Sequence, residues 1–255
     1  MSNISNLRMG MPVQVDGMLN ATTPQDIFVF FDDFLSCSWA TIANGTDEAM
    51  KWKSTVIAQA ATGLDIMVAT DDTPRECGGV LTLTSEATDN DGENLQAHGE
   101  SFSIDAGYPL YMESRWRNGD VSAHEFFIGL SIVDAEILTG GTTDRIGFEM
   151  LAGALLATAE KNSSNKTIAA NVTEADASWM RTAFFYDGYD TVHFYVDDDD
   201  DGDFKEIGTL KLSTTTDYVP DDMSMTPTIE AITGESASNV MYVDYVYVAQ
   251  KRYKA

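Results

Sequence analysis

The sequence predicts an all-β protein: an antiparallel two-sheet sandwich of jelly-roll type, preceded by an extended N-terminal arm. Three observations predict it. Residues 179–196 (WMRTAFFYDGYDTVHFYV) place aromatic and β-branched runs on both sides of Asp187-Gly188, a strong short-range signal for a hairpin. Residues 240–248 (VMYVDYVYV) consist almost wholly of strand formers. Between and before these runs the same grammar recurs, and no sustained 3.6-residue period points to an amphipathic helix.

Taken in order, residues 1–25 are polar, with several methionines, Pro12 and Pro24, and hold no sustained period. They read as an arm that gains order against another surface. Residues 26–255 form the sandwich domain. Residues 27–34 open it, and short strands follow at 54–60 and 63–69, parted by Thr62-Gly63. Asp71-Asp72-Thr73-Pro74 is a turn. Residues 78–84 (GGVLTLT) alternate and read as a strand with one buried face. The stretch 88–94 (TDNDGEN) is a polar loop, 96–104 and 109–117 are strands, and 125–133 is apolar enough to be central. Residues 144–160 are rich in Ala, Leu, Met and Glu, which favour helix. Gly147 and Gly153 oppose that, so the segment reads as two strands about a turn at Gly153. A polar loop at 161–166 and a strand at 167–172 follow. Residues 204–212 pair back on 193–196 across an acidic turn, 214–227 is a long loop, and 228–232 a short strand. About a dozen short strands at this spacing fit a jelly roll.

A chain of 255 residues can bury a substantial core in one such domain. With 44% hydrophobic residues it is not a disordered chain. Its net charge of −26, from 41 acidic and 15 basic residues, repels nucleic-acid phosphates and anionic lipid. No nucleic acid and no membrane is therefore expected as a partner. The charge serves solubility first; the sharper alternative is an acidic face for a basic partner or divalent cations. Cys37 and Cys77 are too few for a disulfide scaffold and read as small buried hydrophobes first, with a bridge between them as the alternative. No run near the start suits a signal peptide, and none approaches the ~20 apolar residues that span a bilayer. The chain is expected to fold in a cytoplasm.

The acidic turn is the first candidate for chemistry. Asp197, Asp199 and Asp201, followed by Gly202 and Asp203, match the first half of a calcium loop. Clustered carboxylates repel one another, and a hard cation relieves that while using oxygen ligands. The second half fails, because the twelfth position is Gly208 where a bidentate Glu belongs. A solvated hairpin tip is the competing reading. The loop at Asp89-Asn90-Asp91-Gly92-Glu93-Asn94 has oxygen donors but no distal bidentate ligand.

Glycosidase chemistry needs two carboxyl groups across a groove. Many β-sandwich glycosidases carry them on one strand as Glu-x-Asp-x-x-Glu, and that spacing is absent: Glu174-Ala175-Asp176 begins it, but Trp179 stands at the third position. Glu113, near Arg115, and Glu149 are lone strand acids, expected to pair with Arg or face solvent. His98, His124 and His193 lack metal spacing, and no nucleophile elbow is present. The chain is accordingly expected not to be an enzyme. Trp116, Tyr108, Tyr111, Tyr186 and Tyr189 are candidate sugar-stacking aromatics, although Trp39, Trp52, Trp116 and Trp179 all fit strand positions that bury a ring as core.

Phe30-Phe31-Asp32-Asp33-Phe34-Leu35, a following Trp, residues 78–84 and residues 88–96 (TDNDGENLQ) together resemble virion structural proteins of tailed bacteriophages. Val243-Asp244-Tyr245-Val246 before basic Lys251 and Arg252 fits the same pattern, over roughly residues 28–252. The resemblance implies a concanavalin A-like (laminin-G-like) jelly roll displayed on the virion after assembly in the host cytoplasm. It implies a capsid decoration or cement protein, bound to the major capsid protein or other virion proteins and homo-oligomeric. A tail or fibre module that binds host glycans is the alternative. The family supplies no catalytic residues. Met9, Met11, Val13 and Val15 of the arm, with Lys251 and Arg252 of the tail, are the candidate contacts.

Overall fold

The computed structural model describes residues 26–34, 48–49, 51–57, 67–69, 79–85, 87–122, 124–172, 176–212, 217–235 and 238–253. The arm with Met9, Met11, Val13 and Val15, both cysteines, Trp39 and the turn at 71–74 lie outside them. Among the described residues there is no α-helix. The described residues hold seventeen strands, β1 (Ile27–Asp32), β2 (Glu48–Ala49), β3 (Trp52–Ile57), β4 (Met67–Ala69), β5 (Val80–Ser85), β6 (Gly92–Ala97), β7 (Phe102–Ser103), β8 (Leu110–Asn118) and β9 (His124–Ser131) among them. They continue as β10 (Arg145–Leu151), β11 (Ala154–Lys161), β12 (Ser164–Ala169), β13 (Met180–Tyr186), β14 (Thr191–Asp197), β15 (Lys205–Lys211), β16 (Ser224–Thr233) and β17 (Asn239–Lys251).

All pairings are antiparallel, in two sheets. The first runs β15-β14-β13-β8-β17-β5-β4, with β1 also on β17; the second runs β12-β11-β10-β9-β16-β6-β3-β2, with β7 also on β16. Neighbours distant in sequence, such as β8 beside β17 and β9 beside β16, are the crossovers of a jelly roll. The expected fold class is what forms.

Period-two alternation sets the core. On β13, Met180, Phe184 and Tyr186 enter it, and on β16, Met225, Ile229 and Ala231 do. Rings lock the sheets together: Trp116 on β8 meets Phe126 on β9 at 4.5 Å, and Phe148 on β10 meets Phe194 on β14 at 5.8 Å. The turn chemistry also holds. Ala152 and Gly153, both with positive φ, form the two-residue turn between β10 and β11. At the β13–β14 hairpin Gly188 takes φ +82°, and Asp187 Oδ1 accepts the N–H groups of Tyr189, Asp190 and Thr191.

Three boundaries differ from expectation. β6 begins inside the expected polar loop, and the expected strand 96–104 breaks at Gly99 (φ +81°) into the end of β6 and the short β7. β12 starts at Ser164, three residues earlier than expected, because Asn162 and Ser163 both adopt positive φ and turn the chain there. β16 extends back through Pro227. On one side β7 reaches Met225 and β6 resumes at Thr228, so the ladder skips the residue that has no N–H to donate.

Candidate functional site

The outer face of the first sheet is aromatic and charged. On β8 the core takes Leu110, Met112 and Trp116, so Tyr111, Glu113, Arg115 and Arg117 point the other way. On β17, Val243, Val246 and Val248 point inward. A bulge between Val243 and Tyr245 inserts Asp244, and Arg115 Nη1 donates to its Oδ2 at 2.8 Å. A second apolar cluster of Ile27, Tyr111, Ala183, Tyr195, Phe204 and Ala249 covers part of this face.

Glu113 is fully buried there. It accepts hydrogen bonds from the Tyr111 hydroxyl at 2.6 Å and from the Tyr245 hydroxyl. Burial pushes its carboxyl up, against the pull of the two tyrosines and Arg181. This corrects the expectation for a lone strand acid, since Glu113 neither pairs with Arg115 nor faces solvent. Neighbouring tyrosines supply its donors.

The acidic turn folds back onto the same face. Asp200, with φ +56°, accepts from Arg115 Nε at 3.0 Å and Nη2 at 2.7 Å, and from Arg181 Nε at 2.7 Å. Asp197 accepts the N–H groups of Gly202 at 2.8 Å and Asp201 at 3.2 Å. Burial pushes the Asp197 carboxyl up, the Gly202 N–H and Arg181 pull it down, and a side-chain hydrogen bond with Asp199 pushes it up again. Asp198 is held low by its hydrogen bond to Lys205. Of the four candidate calcium ligands, Asp197, Asp199 and Asp201 each place a carboxylate oxygen within 4.8 Å of the others, and these are the residues a cation would meet. Asp203 is outside that group and caps the turn through its N–H to Asp201 Oδ1.

Trp179 lies beside β13, half-buried. The Arg115 guanidinium carbon is 4.2 Å from its ring centre and that of Arg117 is 4.9 Å; Arg117 also lies 4.3 Å from the Tyr242 ring centre. The sequence reading placed Trp179 in the core. Met180, next in the strand, takes the inward position instead and turns Trp179 outward. Mixed apolar character on both faces of β13 hid that parity.

The outer face of the second sheet is closed. Outward positions on β10 are Arg145, Gly147 and Glu149, next to Phe127 on β9 and Glu230 on β16. Residues 132–144, linking β9 to β10, cover them. Glu230 accepts the N–H groups of Ile137 at 2.6 Å and Leu138 at 2.8 Å. Asn94 Nδ2 donates to the Asp134 carbonyl at 3.0 Å, and Gln96 Nε2 to that of Ile132 at 3.0 Å. Arg145 binds Glu160 at 2.9 Å, Glu149 at 3.2 Å and the Ile137 carbonyl at 3.2 Å. Burial pushes the Glu230 carboxyl up to about 7 against its two N–H donors, and raises Glu149 against the pull of Arg145. Glu149 thus has the arginine partner expected of a lone acid. Nothing in the periodicity marked Arg145 or Glu230, because both serve a segment that is not a strand.

The other sequence candidates are dispersed. Trp116, Tyr111 and Tyr186 are fully buried and unavailable for sugar stacking; Tyr108 is half-buried and Tyr189 is 75% exposed. His124 is buried against Asn118 Oδ1, and burial lowers it to about 4. Lys251 ends β17, and Arg252 stacks on Phe28 and donates to the Ile27 carbonyl, so both are pinned to β1 rather than carried on a loose tail. They line an open depression of about 730 Å³ with Phe28, Ser103, Asp105, Tyr108 and Tyr253.

No protein-family model matches the chain, and no curated protein matches its sequence. Solved structures do match. A protein of unknown function from Shewanella oneidensis aligns with TM-score 0.56 at 14% identity, over 98% of this chain and 100% of that one. An endo-1,3-β-glucanase from Streptomyces sioyaensis aligns with TM-score 0.54 at 14% identity, over 90% and 98%. An immunostimulatory antigen and pseudo β-1,3-glucanase of Mycobacterium tuberculosis aligns with TM-score 0.54 at 14% identity, over 86% and 97%. At such identity the likeness shows the fold alone. It defines the class: a concanavalin A-like jelly-roll sandwich, shared with glycosyl hydrolase family 16 proteins. The fold implied by the sequence resemblance is the fold observed.

Proposed function

We propose that the chain is a non-catalytic binding protein on a glucanase-like jelly roll, and that it serves as a capsid decoration protein of a tailed-phage virion. One observation carries the non-catalytic half: the covered face of the second sheet, where Glu149 and Glu160 bind Arg145, and Glu230 binds two backbone N–H groups. Hydrolysis of a glycosidic bond needs two carboxyl groups free to reach one oxygen and one carbon across an open groove. Here Glu160 accepts from Arg145, Glu230 accepts from two backbone N–H groups of residues 132–144, and Glu149 faces Arg145 at 3.2 Å.

The virion half rests on the sequence resemblance and on charge. A body of net charge −26 stays soluble until it meets its shell. Docking on the major capsid protein buries surface across the joints between shell subunits, which raises the free energy needed to separate them. Residues 1–25 and the end of β17 are the proposed contacts. Two measurements test the proposal. Mass spectrometry of purified particles is expected to find the chain in stoichiometric amount, and its absence sinks the virion half. Reducing-sugar release from laminarin is expected to be nil, and turnover lost on Glu149→Gln sinks the non-catalytic half.

A further inference from the structure

We propose that Lys51 and Arg252 guard an open sheet edge, and that without them β1 pairs with β1 of a second copy of the chain. β17 holds β1 on one side, and no described strand covers the other. The Arg252 N–H donates to the Asp26 carbonyl at 2.7 Å, next to the Ile27–Lys251 pair. Bonded and non-bonded pairs alternate along an antiparallel ladder. Phe28, Phe30 and Asp32 therefore turn their backbone groups to β17, and Ile27, Val29 and Phe31 turn theirs away. Val29 and Phe31 are 38% and 47% exposed, and the Phe31 ring lies 6.4 and 6.3 Å from those of Tyr245 and Tyr247. An apolar strand edge of this kind is a template for a further strand.

Two cations close that edge. Lys51, which precedes β3 of the second sheet, donates from Nζ to the Phe31 carbonyl at 2.7 Å and is anchored by Asp32 at 3.7 Å. Arg252 donates from Nε to the Ile27 carbonyl at 3.2 Å, with its guanidinium 5.8 Å from the Phe28 ring centre. Ile27 and Phe31 flank Val29 symmetrically, so a two-fold axis at Val29 sets Ile27 of one copy opposite Phe31 of the other. Both carbonyls that such a ladder needs at its ends are already taken by side chains. Of the three outward residues, only Val29 keeps both its N–H and its C=O free of a hydrogen bond among the described residues. One bonded pair does not offset the freedom lost on association. The same axis brings Lys51 of one copy against Arg252 of the other, and like charges there oppose the approach.

The guards act in the purified chain, so they stand or fail apart from the virion reading. In the full-length parent, hydrogen exchange is expected to be fast at the Val29 amide; slow exchange there shows an edge already covered and overturns the proposal. In Lys51→Ala/Arg252→Ala, the mass read by sedimentation near physiological salt is expected to rise with concentration to roughly twice the parent's. Adding Val29→Pro removes the outward N–H, which β17 does not use, and is expected to return the mass to the parent's. Unchanged circular dichroism confirms that each variant is folded. If the double variant unfolds, Lys51→Ala alone, a change at an exposed side chain, carries the same readout. A variant whose mass matches the parent's at every concentration, or association that survives Val29→Pro, overturns the proposal.

Discussion

Gly129 on β9 and Gly147 on β10 face each other so closely that a Cβ on Gly147 would stand 2.5 Å from the Gly129 Cα. A Cβ on Gly129 would stand 2.7 Å from the Phe127 ring tip. The two absent side chains let Phe127 fold over the sheet, and the Arg145 guanidinium lies 5.6 Å from that ring. This is how the covered face is filled. Gly147→Ala is therefore expected to cost about 1–3 kcal/mol by forcing backbone apart, read as a lower urea midpoint at unchanged slope. Neither glycine needs an unusual φ, so an unchanged midpoint would mean that the close approach relaxes freely.

What the sequence revealed follows the same physics. Hairpins with positive-φ turn residues were legible, as at Gly153 and Asp187-Gly188, because those turns are local. β6 was not. Its letters are Gly-Glu-Asn-Leu-Gln-Ala, and its outward Asn94 and Gln96 bind the backbone of residues 132–144. A strand whose outer face is buried by polar contacts, with only Leu95 and Ala97 as apolar residues on its inner face, shows little hydrophobic alternation to read. Trp179 was misplaced for a related reason: its partners are arginines from β8, some 60 residues earlier in the chain, and local periodicity carries no trace of them. Half of the calcium pattern was visible in letters, whereas the clamp of Asp200 by Arg115 and Arg181 was not.

Arg145 is the cation of the covered face, with Glu149, Glu160 and the Ile137 carbonyl around it. Removing it leaves two carboxylates and a carbonyl without their donor. Arg145→Ala is expected to destabilise by about 3–5 kcal/mol, and Glu160→Ala by less because Glu160 keeps more solvent. Chemical denaturation of both variants checks the order. Hydrogen exchange should also quicken at Ile137 and Leu138 in Arg145→Ala, since the covering segment loses one of its ties.

Two buried groups set opposite pH dependences. Burial raises Glu93 to about 8, against its hydrogen bond from Ser54. The unfolded chain releases that proton near 4.5 while the folded chain keeps it. Stability from Glu93 is thus full below 4.5 and falls as pH rises to about 8, by a few kcal/mol at most. His124, lowered to about 4, works the other way: its contribution is present above 6.5 and is lost as pH falls toward 4. Glu93→Gln is expected to flatten the alkaline decline and stabilise the protein at pH 8.5. Melting temperatures of parent and variant across pH 4–9 check this, and parallel curves would refute it.

Asp200 ties the acidic turn to the sheet through both Arg115 and Arg181, and its φ of +56° places it where few side chains are at ease. Its side chain is partly exposed, so the pairing is screened in part. Asp200→Ala is expected to cost about 1–2 kcal/mol, from two arginines left half-buried without a shared acceptor. Asp200→Asn keeps an acceptor and tolerates the backbone, so it should cost less. A double-mutant cycle of Asp200→Ala with Arg181→Ala isolates the interaction. Coupling near zero would show that the turn rests on Asp197 and its backbone hydrogen bonds instead, because Asp197 already accepts the N–H groups of Asp201 and Gly202 and holds the turn closed without either arginine.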